Sequence, residues 1–334
     1  MRTLIKQGAL RALRSAGLFR IAAGSKMRRE RLLILCYHGI SLRDEERWEE
    51  LLYISPRLFR QRLETLRRFG ARVLELGEAL RRLRERSLPP RSVVLTFDDG
   101  FYDFHRNALP LLEEFGYPCT LYLTTHYCRY RFPIFNLVVP YVLWKSGRPA
   151  MDLSRFGAAG EVGIASREER LAAVRMVASF AEKHGMDTAA KNDLAAEIAE
   201  AAGIDYGELV KSRILQIMSP EEAAEAHAAG VDLELHTHRH RTPPQRELFL
   251  REIRDNRARI RELTGRDAAH FCYPSGQYAS EFLPWLRECA VESATTCDPA
   301  LAGPASDPLL LPRLLDHSRI TEVEFESWLC GLVA

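Results

Sequence analysis

The sequence has little that would mark a nucleic-acid binder, a disulfide scaffold or a membrane-spanning chain. Its 47 Lys and Arg residues nearly balance 45 Asp and Glu, for a formal net charge of +2. No global excess of positive charge therefore argues for nucleic acid. Seven cysteines are an odd number, no two form a C-x-x-C pair, and several sit in apolar, strand-like runs. That usage fits free buried thiols in a reducing compartment, and with the leader considerations below it points to the cytoplasm. The opening "MRTLIKQGALRALRSAGLFRIAAGSKMRRE" contains no uninterrupted apolar stretch of the about 7–15 residues that a signal h-region needs. It also carries too many charges to span a bilayer. No repeat of solenoid length and no low-complexity tract appears. What remains is a 334-residue chain, 46% apolar and 28% charged, enough for one large or two ordinary soluble domains with a core.

The first thirty residues are unusual in one respect. Nine cations between Arg2 and Arg31 face a single acid, Glu30, and Leu4, Leu10, Leu13, Leu18 and Ile21 recur at roughly helical spacing. Residues 1–30 thus read as a basic arm. It is either a helix packed on the domain or frayed in solvent, or one that makes a peripheral membrane contact.

From residue 31 strand-like and helix-like segments alternate, which predicts parallel strands covered by helices. "RLLILCYH" and "SVVLTF" are unbroken apolar runs of the kind buried on both faces. Ser55 and Pro56 open a helix whose Phe59, Leu63 and Leu66 share a face, and Gly70 stops it. Strands are also expected over 72–76, 119–125 and 231–236, leading into "FCYP", at "ESATT", and at "LLLPRLL". The alternation breaks over 126–214, an Ala/Glu-rich and aromatic stretch with no obvious strand, read as a helical insertion. Phe135, Tyr141 and Trp144 there could stack on sugar rings, but core packing is the preferred reading. The expected organisation is a barrel split into 31–125 and 215–320, with a helix over 321–334.

Polar clusters fall at the ends of the strands, where barrel enzymes keep their chemistry. They are His38, Asp98 with Asp99, His236 to His240, Tyr273 to Gly276, and Arg313. Two adjacent aspartates closing a buried strand repel one another unless a cation sits beside them. Imidazoles at 236, 238 and 240 supply partners for one. His236 and His240 share a face if the segment turns helically, whereas an extended segment would align all three. Two such imidazoles and one carboxylate make a His₂Asp site with open positions for water and substrate. His38 lines the pocket either as a hydrogen-bonder or as a substrate contact.

"TFDDG" followed by "HTHRH" resembles the first two motifs of the polysaccharide deacetylases, the NodB-homology proteins of carbohydrate esterase family 4. "LCYHGI", "FCYPSG" and "LLLPRLL" extend the resemblance. It implies a distorted (β/α)₇ barrel and hydrolysis of N-acetyl, or O-acetyl, groups on a saccharide or glycan precursor. It also implies a divalent metal, most often Zn²⁺. Carried onto this sequence, Asp99 would ligate the metal with His236 and His240, and Asp98 would be the general base. Thr237 would hold the histidine turn. The backbone near Ser275 would serve the oxyanion, Tyr273 would shape the pocket, and Arg313 would orient Asp98. Two motifs depart from the pattern. Cys272 stands where the third motif often has arginine, and Ser275 where it has tyrosine. The late motif that supplies a general acid has no clean match, with His317 as candidate. A barrel that binds saccharide without turnover, and a different metal-dependent hydrolase, are the alternative readings.

Overall fold

The structure, a computed structural model, describes residues 2–332, with side chains from residue 5 onward. Expectations that reach residue 1 and residues 333 and 334 lie outside the described residues. The chain forms two compact units. One comprises the residues up to Arg129 together with those from Met218 onward, and the other is Tyr130–Ile217.

The larger unit opens with three helices, Arg2–Ser15 (α1), Leu18–Gly24 (α2) and Lys26–Arg29 (α3). Its sheet holds Leu33–Tyr37 (β1), Arg72–Val73 (β2), Ser92–Asp99 (β3), Thr120–Leu123 (β4), Asp232–Leu235 (β5), His270–Cys272 (β6), Ser293–Thr295 (β7) and Leu314–Leu315 (β8). The spatial order is β7-β6-β5-β4-β3-β1-β8, with β2 paired to β3 off that path. Every pairing in this sheet is parallel. β1 and β4 are buried throughout, as unbroken apolar strands between helical layers should be.

The sheet curls, and one segment stitches its edges. Leu311 bridges Thr295 at the end of β7. Three residues later Leu314 pairs with Leu35 of β1. Pro312 lies between the two contacts and donates no ladder bond. The run "LLLPRLL" is therefore not the single strand its apolarity suggests; the structure breaks it there. The result is the α/β fold expected, a distorted barrel of parallel strands with helices outside.

Helix Pro56–Phe69 (α4) forms for the reasons its sequence suggests. Ser55 Oγ accepts the Leu58 amide, Pro56 takes the first turn, and Gly70 ends it at φ 68°. Phe59, Leu63 and Leu66 are fully buried. One expected strand is shorter than its sequence suggests. The strand expected over 72–76 is only Arg72–Val73. Phe104–Ala108 is a π-helical turn ahead of the α-helix Leu109–Phe115. Pro110 has no amide hydrogen to give the preceding turn, which explains the irregular register. Helix Arg246–Thr264 (α5) and helix Glu322–Leu329 (α6) also belong to this unit.

The smaller unit is mainly helical, over Phe135–Lys145, Arg167–Lys183, Thr188–Ala202 and Tyr206–Lys211. It also contains a strand pair that the sequence pattern does not reveal, Ala150–Asp152 antiparallel to Glu161–Gly163. Three-residue strands are too short to show an alternation of two. Tyr141 is buried, in keeping with core packing.

Candidate functional site

Parallel register levels the strand ends of the larger unit. Asp99 pairs with Leu123, Leu123 with Leu235, and Leu235 with Phe271. On the other side Tyr37 pairs with Phe97, so His38 and Asp98 follow at one level. Side chains far apart in sequence are thereby brought to a single mouth.

Asp99 sits at φ 70°, a left-handed backbone unusual for a non-glycine residue. Its Oδ1 lies 3.2 Å from His236 Nε2 and 3.1 Å from His240 Nε2. The histidine rings are 4.9 Å apart, centroid to centroid. Their ligand atoms and the Asp99 oxygen fall within 4.8 Å of one another. His236 Nδ1 lies 2.9 Å from the Cys272 carbonyl, which can only accept, so the proton of a neutral ring is on Nδ1. The Nε2 lone pair then points at a carboxylate oxygen. Two electron pairs facing one another at this distance are what a cation between them would satisfy. The residues present therefore fit a divalent ion held by Asp99, His236 and His240. Burial works against charge on Asp99 and on His240. The attraction between the two outweighs it, holding the Asp99 carboxyl well below and His240 above their ordinary values.

Asp98 occupies a different environment. Its two oxygens receive Arg313 in a fork, Nη1 to Oδ1 at 2.7 Å and Nη2 to Oδ2 at 2.8 Å. Both side chains are buried, at 2% and 1% exposure. Burial pushes the Asp98 carboxyl up, and the Arg313 guanidinium outweighs it, leaving Asp98 far below the usual carboxylate range. Arg313 is itself fixed by Thr296 O at 3.0 Å and Thr96 Oγ1 at 3.2 Å. The thiols of Cys36 and Cys272 lie 3.6 and 3.4 Å from Asp98 Oδ2, and His38 Nε2 is 3.7 Å from it. Burial lowers the His38 pKa despite the two aspartates. The thiol at the usual arginine position thus stands beside Asp98, and an arginine from the approach to β8 makes the salt bridge.

The other candidates are placed as follows. Tyr273 is buried, its hydroxyl donating to Leu309 O at 3.1 Å, so it forms wall. Ser275 is exposed at φ 56° in the turn after β6. Thr237, at φ 60°, accepts the Arg241 amide through Oγ1 at 3.0 Å and so closes the histidine turn. His238 faces elsewhere, its Nδ1 2.9 Å from Thr125 Oγ1. His317 Nδ1 accepts the Arg319 amide at 3.2 Å, and His317 joins none of the ligand-atom clusters found among the described residues.

Three supports were not legible in the sequence. Asn256 on α5 accepts the His236 amide at 2.9 Å and donates to Leu123 O and Thr125 Oγ1, each at 2.9 Å. Glu252, one turn earlier and buried, takes the Arg239 amide and the Arg239 and Arg241 side chains. Arg62 on α4 and Asp316 form a second buried ion pair at 2.9 Å. Asn256 and the Arg62–Asp316 pair join segments far apart in the chain, Glu252 binds the histidine turn that precedes its own helix, and no sequence motif announces any of them.

A parallel, helix-covered barrel whose polar side chains gather at the carboxyl ends of its strands is the architecture of an α/β-barrel enzyme. The sequence profile of the polysaccharide deacetylases matches residues 85–151 and 174–294, more than half of the chain. The chain belongs to the polysaccharide deacetylase family, and is a hydrolase of carbon–nitrogen bonds that deacetylates saccharides. No curated protein matches it. Among solved structures it is similar to the Streptococcus pyogenes deacetylase PplD in complex with acetate. The TM-score is 0.59 at 18% identity, over 91% of this chain and 99% of that one. It is similar also to IcaB from Ammonifex degensii (0.56, 20%, 91% and 97%). A third is a polysaccharide deacetylase from Bacillus cereus (0.55, 15%, 90% and 69%). At such identities the likeness is one of fold.

Proposed function

We propose that this deacetylase is metal-dependent, that Asp99, His236 and His240 hold the ion, and that Asp98 is the general base. The observation that carries the reading is the division of labour between adjacent carboxylates. One faces two imidazoles and the other is forked to an arginine. A divalent ion, zinc being the expected one, would polarise the acetyl carbonyl and make water a better nucleophile at neutral pH. Asp98, kept ionised by Arg313, takes the proton from the attacking water. The Ser275 turn, exposed at the mouth, offers backbone amides to the developing oxyanion. The bond to the amide nitrogen then breaks, releasing acetate and an amine. His317 stands outside the clusters around Asp98, so the returning proton is assigned to Asp98 itself. PplD, similar in fold, was solved in complex with acetate, the product this reaction would release, which supports the reading. All seven cysteines are free, six of them buried, which supports a reducing, cytoplasmic setting.

Release of acetate from N-acetylglucosamine oligomers, with metal content measured alongside, tests the assignment. Asp98→Asn should retain the ion and lose about 10²-fold or more in kcat. His236→Ala should lose the ion. Normal turnover by Asp98→Asn would remove Asp98 from the role of base. Phosphate release from a generic ester, with no acetate released, would favour another metal hydrolase.

A further inference from the structure

The basic arm is held firmly to the larger unit. Leu10, Phe19 and Ala23 pack with Val323 and Cys330. Arg28, fully buried, donates to Leu329 O, Arg31 O and Ser92 O. Packing therefore accounts for one apolar face of the arm. It does not account for a second one. Of nine exposed large apolar side chains among the described residues, five lie here: Ile5, Leu13, Leu18, Ile21 and Met27. On α1 Ile5, Ala9, Ala12 and Leu13 are all exposed, with Ala16 just past its end, spaced i, i+4, i+7, i+8, i+11. That is a helical stripe facing solvent. On α2, Leu18 and Ile21 repeat the arrangement opposite Phe19 and Ala23.

Acids near this stripe are paired, Glu324 with Lys6 and Glu326 with Arg14, and the charge left unpaired is positive. Arg11, Arg20, Arg29 and Arg31 are exposed, and none makes an ion pair or side-chain hydrogen bond with another described residue. The arm's single acid, Glu30, is met by Lys26. Next to α2 lies a cavity of about 400 Å³ with Phe19, Phe69 and Leu329 in its walls and Arg20, Arg68 and Arg91 among its cations. Of these three, Arg68 is paired to Glu322 and Arg91 is engaged by Phe69 O, leaving Arg20 free. Apolar side chains flanked by unpaired guanidiniums complement a surface that is oily beneath and anionic on top.

We propose that the outer face of α1–α3 docks on an anionic phospholipid bilayer and that the catalytic mouth points away from that bilayer. The orientation follows from the strands. Arg28 reaches Ser92, the first residue of β3, and the cavity is lined by Arg91 just before it. Asp98 and Asp99 end the same strand, roughly 23 Å away at about 3.3 Å per residue. The docking face is thus at the opening end of the strands and the chemistry at the closing end. On the deacetylase reading above, the substrate is an acetylated saccharide reached through water, not a sugar held at the surface on which the enzyme sits. No helix among the described residues is long and apolar enough to cross a membrane, so contact would be peripheral.

Flotation of the full chain with phosphatidylcholine vesicles, with and without phosphatidylglycerol, tests docking without reference to activity. The protein should float with the anionic vesicles about tenfold or more better than with the neutral ones, and high salt should release it. Leu18→Glu with Ile21→Glu, and separately Arg11→Glu with Arg20→Glu, should each abolish flotation while acetate release from soluble oligomers is unchanged. Failure of the unaltered protein to float overturns the proposal. So does equal flotation of the variants, or a dimer in gel filtration that Leu18→Glu with Ile21→Glu dissociates without any vesicle binding. Orientation is read in a Cys297→Ser background with an environment-sensitive dye on Ile21→Cys or on Tyr278→Cys, near the mouth. The dye at 21 should shift to the blue with anionic vesicles and the dye at 278 should not; the reverse overturns the orientation.

Discussion

At Asp98, the proposed base, two opposed demands meet: a base must hold charge, and a buried carboxylate resists it. Arg313 resolves the conflict, and two predictions rest on how completely it does so. Arg313→Met leaves an unpaired buried carboxylate and should cost about 3–5 kcal/mol of stability, seen in chemical denaturation. Arg313→Lys keeps the charge but loses the fork. Asp98 should then protonate at higher pH, moving the acid limb of kcat/KM upward. In the wild type the depressed Asp98 pKa contributes stability present above the unfolded aspartate value and lost only as pH falls far below it. Glu234 runs the other way. Burial, with Asp232 beside it, pushes its pKa up to about 9. Between the ordinary glutamate value and about 9 the folded chain holds a proton that the unfolded chain releases, so stability falls as pH rises. Glu234→Gln, which keeps an acceptor for the His270 amide, should therefore melt close to wild type near pH 5 and above it near pH 8. Identical melting at both would mean that Glu234 is ionised in the fold.

Elements position these side chains, and their turns carry strain. Asp99, Thr237, His240 and Ser275 all adopt positive φ at strand ends of the mouth. Gly100 follows at φ 86°, where a Cβ would meet Leu123 Cδ1 at 2.3 Å. Gly100→Ala should cost about 1–3 kcal/mol and loosen the proposed ion site, measurable as weaker metal retention. The strands themselves were legible in the sequence because β1 and β3 are unbroken apolar runs, and α4 because its cap, face and stop are all local signals. The candidate ion ligands were legible because strand-end polar residues stand out against apolar runs and form recognisable motifs. Asn256 was not. It lies twenty positions after His236 and belongs to no motif, and only the fold puts its amide across β4 and β5. The π-helical turn and the short hairpin were not legible because their cause is one proline, or three residues, within segments of a different average character.

For the whole molecule, the proposed ion would link stability to ligand. An ion that binds only the folded chain adds about 2.7 kcal/mol at a hundred times its Kd. A chelator should lower Tm, and His236→Ala should melt the same with or without it. The division into two units was signalled by the loss of β/α alternation after β4, while the buried Arg62–Asp316 pair, spanning most of the chain, had no signal short of the assembled barrel. The segment that stitches the sheet has a consequence in time. Synthesis delivers the proposed ion ligands by His240, yet closure and the guanidinium for Asp98 arrive together, much later, in 308–315. A nascent chain halted between those points could gather its imidazoles but would keep an open seam and an uncompensated acid. The last barrel strand is therefore the step at which the growing polypeptide becomes an enzyme.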